Sequence, residues 1–323
     1  MKRNIWLDGI IGVVVGDALG SPAQFKRREV FLENPITKME YCDSFDMPPG
    51  SWTDDSSMTL ATLDSLIESN GYDIYDIADR FVGWLKRGEY TPFGYAYDIG
   101  NGCMTGIDMF RRTGDPYTSG GADQMNNGNG SLMRIMPICL YSYLMNKNGN
   151  WSIDECIEAI HDVSGITHRH LRSKMACGLY FFMIKHIIDD REEKTFKICL
   201  QEGIDEGYEY YSSDFGNLTE RKHFSRLFNL NEFSSARSES IKTSGYVLDT
   251  IEAVVWCAIT TESYKECELK AVNLGDDADT VGAIAGGLAG LYYGYENIPD
   301  EWVNELQRND WIVDLCRKQG TLI

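Results

Sequence analysis

This 323-residue chain has few basic residues, and its cysteines form no CxxC pair. The 30 basic residues face 49 acidic ones, and the net charge of −19 repels the phosphates of nucleic acids and of anionic membranes. Most of the nine cysteines have apolar neighbours, which favours reduced, buried thiols over a disulfide framework. We therefore expect a cytoplasmic protein with no general affinity for nucleic acids.

Long apolar runs and strand patterns are also absent from the sequence. The apolar stretch at residues 10–15 lies between Asp8 and Asp17 and is too short to span a membrane or to act as a secretory signal. No convincing series of residues alternates in the way that strands require. With 43% hydrophobic residues and only 8 prolines, the chain is predicted to form one predominantly α-helical domain over residues 1–323.

Helical periodicity is present instead. In residues 73–88, apolar side chains recur at steps of three and four, and two S-x-x-E capping boxes begin at Ser152 and Ser263. Residues 171–188 and 245–261 are largely apolar and are predicted to be buried helices. Residues 201 to about 240 lack a sustained apolar stripe, which predicts a polar surface excursion.

A row of glycines marks another helix near the C-terminus. Gly282, Gly286, Gly290 and Gly294 follow at four-residue steps. Each glycine costs a helix up to about 1 kcal/mol relative to alanine, so the row predicts a helix face packed very closely against a second helix. The apolar part, residues 281–293, is too short for a membrane-spanning helix.

Two acidic motifs lie far apart in the chain, each at a predicted helix start. Taken singly, each is typical of a helix cap. A cap requires only one side chain, however, and both motifs offer more acceptors than that. The motifs are "WTDDSS" and "GDDADT", and their oxygen-bearing side chains include Thr53, Asp54, Asp55, Asp277, Asp279 and Thr280.

Neither motif contains a lysine or an arginine. If the motifs met, their carboxylates would repel one another and their pKa values would rise. Two divalent cations would balance this charge, and ligands that are all oxygen favour Mg²⁺ or Mn²⁺ over Zn²⁺. The sequence therefore predicts a metal centre if the two helix starts converge.

Two other patterns leave alternatives open. His161, His168 and His170 have a spacing that could ligate zinc, although histidines near a helix start are more often caps or core residues. The "NGNGS" segment at 127–131 could hold a phosphate with its backbone amides, but it lacks the Lys-Ser/Thr ending of a P-loop and is by itself a turn.

Six blocks of the sequence, in order, resemble the ADP-ribosylglycohydrolase family, the group related to dinitrogenase reductase-activating glycohydrolase. The blocks are "GDALGSP" at 16–22, "WTDDSSM" at 52–58, "YDIGNG" at 97–102, "NGNGSLMRIMPI" at 127–138, "SGITHRH" at 164–170 and "GDDADTVGAIAGGLAG" at 275–290. The resemblance implies an all-α orthogonal multi-helix fold with a dinuclear Mg²⁺ or Mn²⁺ cleft.

The resemblance also implies roles for individual residues. The metal ligands would be Thr53, Asp54, Asp55, Asp277, Asp279 and Thr280. Asn129, Gly130 and Ser131 would contact the diphosphate and ribose of ADP-ribose, and His168 would lie beside the adenosine half. Hydrolysis at the ribose C1″ also needs a carboxylate that handles a proton, for which Asp55 and Asp98 are the candidates, although Asp98 could equally cap a helix.

The implied substrate is an ADP-ribosylated protein, with an arginine linkage slightly preferred, or a small ADP-ribose derivative. One departure stands at Gln24, where the family commonly has a glutamate; an amide cannot transfer a proton at neutral pH. This departure leaves open a catalytically silent relative that binds ADP-ribose. A milder difference is Asp276, in place of a frequent glycine, which is expected to add an acid near the metals.

Overall fold

The structure is a computed structural model that describes residues 3–213 and 215–319. Within these ranges it is built from helices, and the only β-pairs are isolated bridges. The all-α prediction is confirmed. The α-helices are α1 (Gly12–Gly20), α2 (Arg28–Glu33), α3 (Asp54–Glu68), α4 (Ile74–Arg87), α5 (Asn101–Thr113), α6 (Met136–Lys147), α7 (Ile153–Gly165), α8 (Leu171–Asp190), α9 (Phe196–Tyr210), α10 (Phe215–Arg221), α11 (Leu230–Phe233), α12 (Val247–Ile259), α13 (Tyr264–Val272), α14 (Ala278–Tyr293), α15 (Asp300–Glu305) and α16 (Asn309–Gln319).

The glycine row of α14 packs against glycines of α1. A β-carbon at Gly286 would lie 2.2 Å from the carbonyl oxygen of Gly12, and one at Gly282 would lie 2.5 Å from that of Gly16. Any side chain here would push the two backbones apart. The predicted close approach is confirmed for the row up to Gly290, whereas Gly294 caps the helix end at a φ of 95°. This contact also fixes the N-terminal end of α14, which carries the second acidic motif.

Local capping explains where several helices begin and end. Asp73 accepts hydrogen bonds from the N–H groups of Tyr75 and Asp76 at the start of α4, and Gly88 ends that helix at a φ of 68°. Ser152 forms both halves of the predicted capping box with Glu155. These positions satisfy backbone groups that the helix itself leaves unpaired.

One predicted boundary differs from the structure. Residues 201–210, expected to begin a surface excursion, are the second half of α9, which packs against α8. Gly203 and Gly207 lie on the packed face, where a β-carbon would meet Met183 or Leu179 at 2.7 Å. The glycines hid the apolar stripe because they bury helix backbone rather than an apolar side chain. Shorter helices and turns follow over residues 215–240.

One connected apolar core extends from Trp6 to Cys316. The prediction of a single domain is consistent with this core. All nine cysteines are buried and unpaired, as predicted. Across residues 3–213 and 215–319, no helix has the length and apolar character that crossing a membrane requires.

Candidate active site

A cavity of about 340 Å³ opens beside the N-terminal ends of α3, α5 and α14. Its wall contains residues from five of the six sequence blocks. The predicted site residues on its wall are Asp54, Asp98, Asn129, Gly130, His168, Asp277 and Thr280. The sequence blocks thus meet at one place in the fold.

The two acidic motifs converge behind and along this wall. Asp54 and Asp277 face the cavity, while Asp55 and Asp279 lie deeper and are 1% and 0% exposed. Thr53 and Thr280 are also buried at the two helix starts. Asp276 is exposed where its left-handed backbone conformation (φ 56°) turns the chain just before α14, and its charge contributes to raising the pKa of the adjacent Asp277.

Burial and like charge both disfavour ionisation of these carboxyl groups. Burial is the largest influence on Asp279 and raises its pKa well above the usual range; the charges of Asp98, Asp55 and Asp277 raise it further. The pKa of Asp54 is raised in the same way, by burial and then by Asp98 and Asp55. Among the described residues, no lysine or arginine lines the cavity to offset this repulsion.

Several carboxylate oxygens in the cleft have no hydrogen-bond donor. Both oxygens of Asp279 and one of Asp55 are buried without a partner, whereas the other oxygen of Asp55 accepts a bond from the Thr53 hydroxyl at 3.2 Å. Unpaired buried charges are strongly unfavourable unless a cation or proton neutralises them. The donor set therefore fits hard divalent cations, and caps alone do not account for it.

Asp17, quoted in a sequence block but given no role, proves to be a positioning residue. Its fully buried carboxylate accepts hydrogen bonds from the backbone N–H groups and hydroxyls of both Thr53 and Ser56, at 2.5 to 3.0 Å. It thereby fixes the start of α3. Burial raises the pKa of Asp17 to about 7 despite these bonds. An acid between two glycines in an otherwise apolar stretch was the available signal.

Asp98 lies in a strained backbone conformation at the cavity edge. Its φ of 50° is in the left-handed region, which is uncommon for a residue other than glycine. The side-chain amide of Gln24 donates to its Oδ2 at 2.7 Å. Gly100, rather than Asp98, occupies the N-cap position of α5. The cap interpretation of Asp98 thus has no support.

Glycines and a histidine form the opposite part of the wall. A β-carbon at Gly102, Gly128 or Gly130 would approach the His168 ring to within 2.6, 3.1 or 2.9 Å. Backbone therefore surrounds His168 closely and leaves amides near the cavity. A smaller cavity of about 250 Å³ continues past the same ring and is lined by Gly102 and Gly128 as well. This surface suits a long ligand that the backbone can approach.

Buried side chains fix the orientation of His168. Arg134, fully buried, donates to the Thr167 hydroxyl at 2.7 Å, and that hydroxyl lies 2.8 Å from His168 Nδ1. While accepting from Arg134, the hydroxyl can donate its own proton to Nδ1, and in that tautomer Nε2 carries the ring proton toward the cavity. Burial, together with the charge of Arg134, lowers the pKa of His168 to about 3, so the ring is neutral.

Other predicted residues lie away from the cavity surface. Ser131 is fully buried, and its hydroxyl accepts from Ser164 at 3.0 Å; it therefore supports the wall from behind. His161 pairs with the Tyr211 hydroxyl at 2.8 Å, and His170 caps α8 by accepting from the N–H of Arg172. These separate partners leave no support for a zinc site of three histidines.

Asn129 joins the glycine wall to the acidic motifs. Its side-chain amide donates to Asp277 at 2.6 Å and to the Thr250 hydroxyl at 2.9 Å. The bond to Asp277 competes with burial, which raises the pKa of that carboxyl. Asn129 thus orients one carboxylate of the second motif.

This chain is similar to known proteins along nearly its whole length. The family model described as ADP-ribosylglycohydrolase matches residues 3–323. An ADP-ribosylarginine hydrolase from Serratia proteamaculans is 29% identical over 310 residues, covering 96% of this chain and 77% of that protein. An ADP-ribosyl-[dinitrogen reductase] glycohydrolase from Rhodospirillum rubrum is 31% identical over 306 residues, covering 93% of this chain and 89% of that protein.

A solved structure extends the similarity to three dimensions. The structure of an ADP-ribosylglycohydrolase-related protein complex superposes on this chain with a TM-score of 0.77 at 26% sequence identity. The match covers 100% of this chain and 99% of the other.

Proposed function

We propose that this protein, which belongs to the ADP-ribosylglycohydrolase family, hydrolyses the bond between the ribose C1″ of ADP-ribose and an arginine side chain of a modified protein. The arginine linkage is inferred from the relatives named ADP-ribosylarginine hydrolase. Such an activity would reverse mono-ADP-ribosylation, and we place it in the cytoplasm, with neither nucleic acid nor membrane as a partner.

The cluster of buried, unpaired carboxylates carries this proposal. Two Mg²⁺ or Mn²⁺ ions would be held by the side chains of Thr53, Asp54, Asp55, Asp277, Asp279 and Thr280. When bound, such ions polarise substrate oxygens and lower the pKa of coordinated water. All six of these residues are present, and this favours an enzyme over a silent binding protein.

Asp98 is the better placed of the two candidate catalytic carboxylates. It faces the cavity, and its bond from Gln24 holds one oxygen in place while the other can accept a proton from the attacking water. Asp55 lies behind the wall and has one oxygen engaged by Thr53. We therefore assign Asp98 the role of base and Asp55 that of a ligand.

The glycine wall would bind the nucleotide half of the substrate. The backbone around Gly128 and Gly130 has no side chains that would keep a diphosphate at a distance, and His168 Nε2–H can donate a hydrogen bond into the same space. Asn129 would hold Asp277 at the boundary between this half and the metals. The ribose would then lie with C1″ beside Asp98.

One assay tests this function directly. The purified protein is incubated with Mg²⁺ or Mn²⁺ and, in separate reactions, with a protein ADP-ribosylated on arginine, with one ADP-ribosylated on serine and with a small ADP-ribose derivative. Asp54→Ala serves as the control. We expect release of ADP-ribose from the arginine-linked protein by the wild type only. Release from neither protein would reject the proposed activity, and release from free ADP-ribose derivatives alone would assign a small-molecule hydrolase instead.

A further inference from the structure

We infer that Gln24 and a group of aromatic rings beside it form a subsite for a guanidinium group, the leaving group of the reaction. The inference rests on the proposed function and identifies where the arginine side is recognised. The group, here called the aromatic rim, consists of Phe25, Phe45, Tyr95 and Tyr97.

The rings of the aromatic rim form a continuous series next to the cavity. Phe25 lines the cavity, and its ring centre is 6.1 Å from that of Phe45. Phe45 is 5.4 Å from Tyr97, and Tyr97 is 6.3 Å from Tyr95. Tyr97 directly precedes Asp98, so the series passes beside the proposed base. Aromatic faces attract cations such as a guanidinium group.

Phe25 is held at the cavity mouth in an unfavourable conformation. Its φ of 63° is in the left-handed region, and 67% of its surface is exposed. Its N–H donates to the carbonyl of Asp276 at 2.7 Å, and the N–H of Asp276 donates to the carbonyl of Lys26 at 2.8 Å. These two backbone bonds hold the exposed ring at the mouth of the cavity, where a ligand can reach its face.

Gln24 supplies an independent observation that points to the same ligand. Its Oε1 is buried without a hydrogen-bond partner, although the side chain lines the cavity and is only 4% exposed. In its ionised form as the base, Asp98 accepts hydrogen bonds, so the amide nitrogen of Gln24 faces it and Oε1 faces elsewhere. The free oxygen is an acceptor for an N–H donor, and a guanidinium group presents several.

The chemistry of an arginine linkage suits an amide at this position. When the C1″–N bond breaks, its electron pair leaves with nitrogen, and the positively charged linkage departs as a neutral guanidine. Water forms the new C1″–O bond, Asp98 takes up the proton that the water releases, and this proton then passes to the guanidine, so charge and atoms balance. No separate acid is needed, whereas departure of a serine oxygen would require one. Gln24 can bind the leaving group without supplying a proton.

Substitutions at Phe25 separate the cation–aromatic contact from simple bulk. In Phe25→Leu the side chain stays apolar but loses its aromatic face, and Phe25→Trp restores one. We expect Phe25→Leu to raise KM for the arginine-linked protein on the order of 3- to 30-fold with kcat nearly unchanged. Phe25→Trp should keep KM at or below the wild-type value. Phe93→Leu, at an exposed phenylalanine outside the cavity wall, is the matched control.

A binding measurement makes the test independent of turnover. Agmatine, a small guanidinium compound, is titrated into protein saturated with Mg²⁺ and ADP-ribose, and ADP-ribose is titrated separately. Phe25→Leu and Gln24→Leu should weaken agmatine binding, while Phe25→Leu leaves ADP-ribose binding within about two-fold of wild type. Equal agmatine affinity in wild type and Phe25→Leu, or a matching loss of ADP-ribose affinity, would overturn the subsite. An inactive wild type whose agmatine binding depends on Phe25 would reject only the proposed function.

Discussion

Two clusters of carboxylates in this protein differ in how their negative charge is balanced. The first is the cleft cluster of Asp54, Asp55, Asp98, Asp277 and Asp279. The second, called the α8–α9 cluster, consists of Asp190, Glu202 and Glu206 with Lys185, His186 and Lys194. Of the two clusters, only the cleft cluster has no basic partner among the described residues, so a proton or a bound cation must neutralise its carboxylates.

The α8–α9 cluster shows that ligand spacing alone does not identify a metal site. Ligand atoms of His186, Asp190 and Glu202 lie within 4.8 Å of one another, close enough for one ion. Yet the ammonium group of Lys194 is 3.1 Å from Asp190 and 2.7 Å from Glu202, so a cation is already in place. Burial without a counter-charge, rather than proximity, distinguishes the cleft.

The largest expected effect comes from removing a cleft carboxylate. Asp279→Asn should lower the rate of ADP-ribose release at least about 100-fold, because a metal ligand is lost. The matched control is Glu202→Gln in the α8–α9 cluster, which should leave the rate within about two-fold. Initial rates at saturating Mg²⁺ measure both. Equal effects of the two substitutions would remove the distinction between the clusters.

Metal addition should stabilise the protein through the cleft cluster alone. At a Mg²⁺ concentration of 100 times Kd, binding contributes about 2.7 kcal/mol, which corresponds to roughly 5 °C in Tm for a protein of this size. EDTA should reverse the shift. Differential scanning fluorimetry of Glu202→Gln should show the wild-type shift, and Asp279→Asn should show little of it. A shift that persists in Asp279→Asn would place the ion elsewhere.

The two clusters should give opposite pH dependence in metal-free protein. Burial raises the pKa of Asp279 in the folded state, so the folded protein retains protons that the unfolded chain has lost, and stability falls as pH rises above about 4. For Glu206, burial is outweighed by bonds from Lys185 and His186, and the pKa is lowered. Its contribution is present above the unfolded pKa and is lost as pH falls through the folded one.

Paired variants check these signs. The stability difference between wild type and Asp279→Asn should favour the variant increasingly between pH 5 and pH 8 in EDTA. The stability difference between wild type and Glu206→Gln should favour the wild type at neutral pH and disappear at acidic pH. Urea denaturation across this pH range measures both. A common sign for the two pairs would show that the cleft carboxylates are neutralised within the fold.

The smallest effect is expected for the α8–α9 cluster itself. Glu202→Gln removes one partner of Lys194 at a partly exposed site and should cost less than about 1 kcal/mol of unfolding free energy. Because Asp190 remains 3.1 Å from the ammonium group, one ion pair survives. The loss should diminish further in high salt. A loss of several kcal/mol would mean that this cluster is as critical to folding as the cleft cluster is to activity.

The sequence predicts much of the fold through local patterns. The periodicity of residues 73–88, the capping box at Ser152 and the glycine row at 282–290 each fix a short-range requirement, and the structure meets them. The second half of α9 escaped because Gly203 and Gly207 pack through backbone, which an apolar count does not register. The regular row of glycines in α14 made its backbone packing predictable, whereas two glycines in α9 only interrupted an apolar stripe.

By itself, the sequence determined an all-α chain and two uncompensated acidic motifs. Apolar periodicity and the absence of neighbouring bases are local properties, which can be read from adjacent residues. Only the tertiary structure decided that Asp17 holds the start of α3, that Asp276 turns outward and that Ser131 lies behind the wall. These facts depend on contacts between segments distant in the chain and on backbone conformations that packing imposes. The single free oxygen of Gln24 belongs to the same class, since its orientation follows from a bond to Asp98 that folding alone creates.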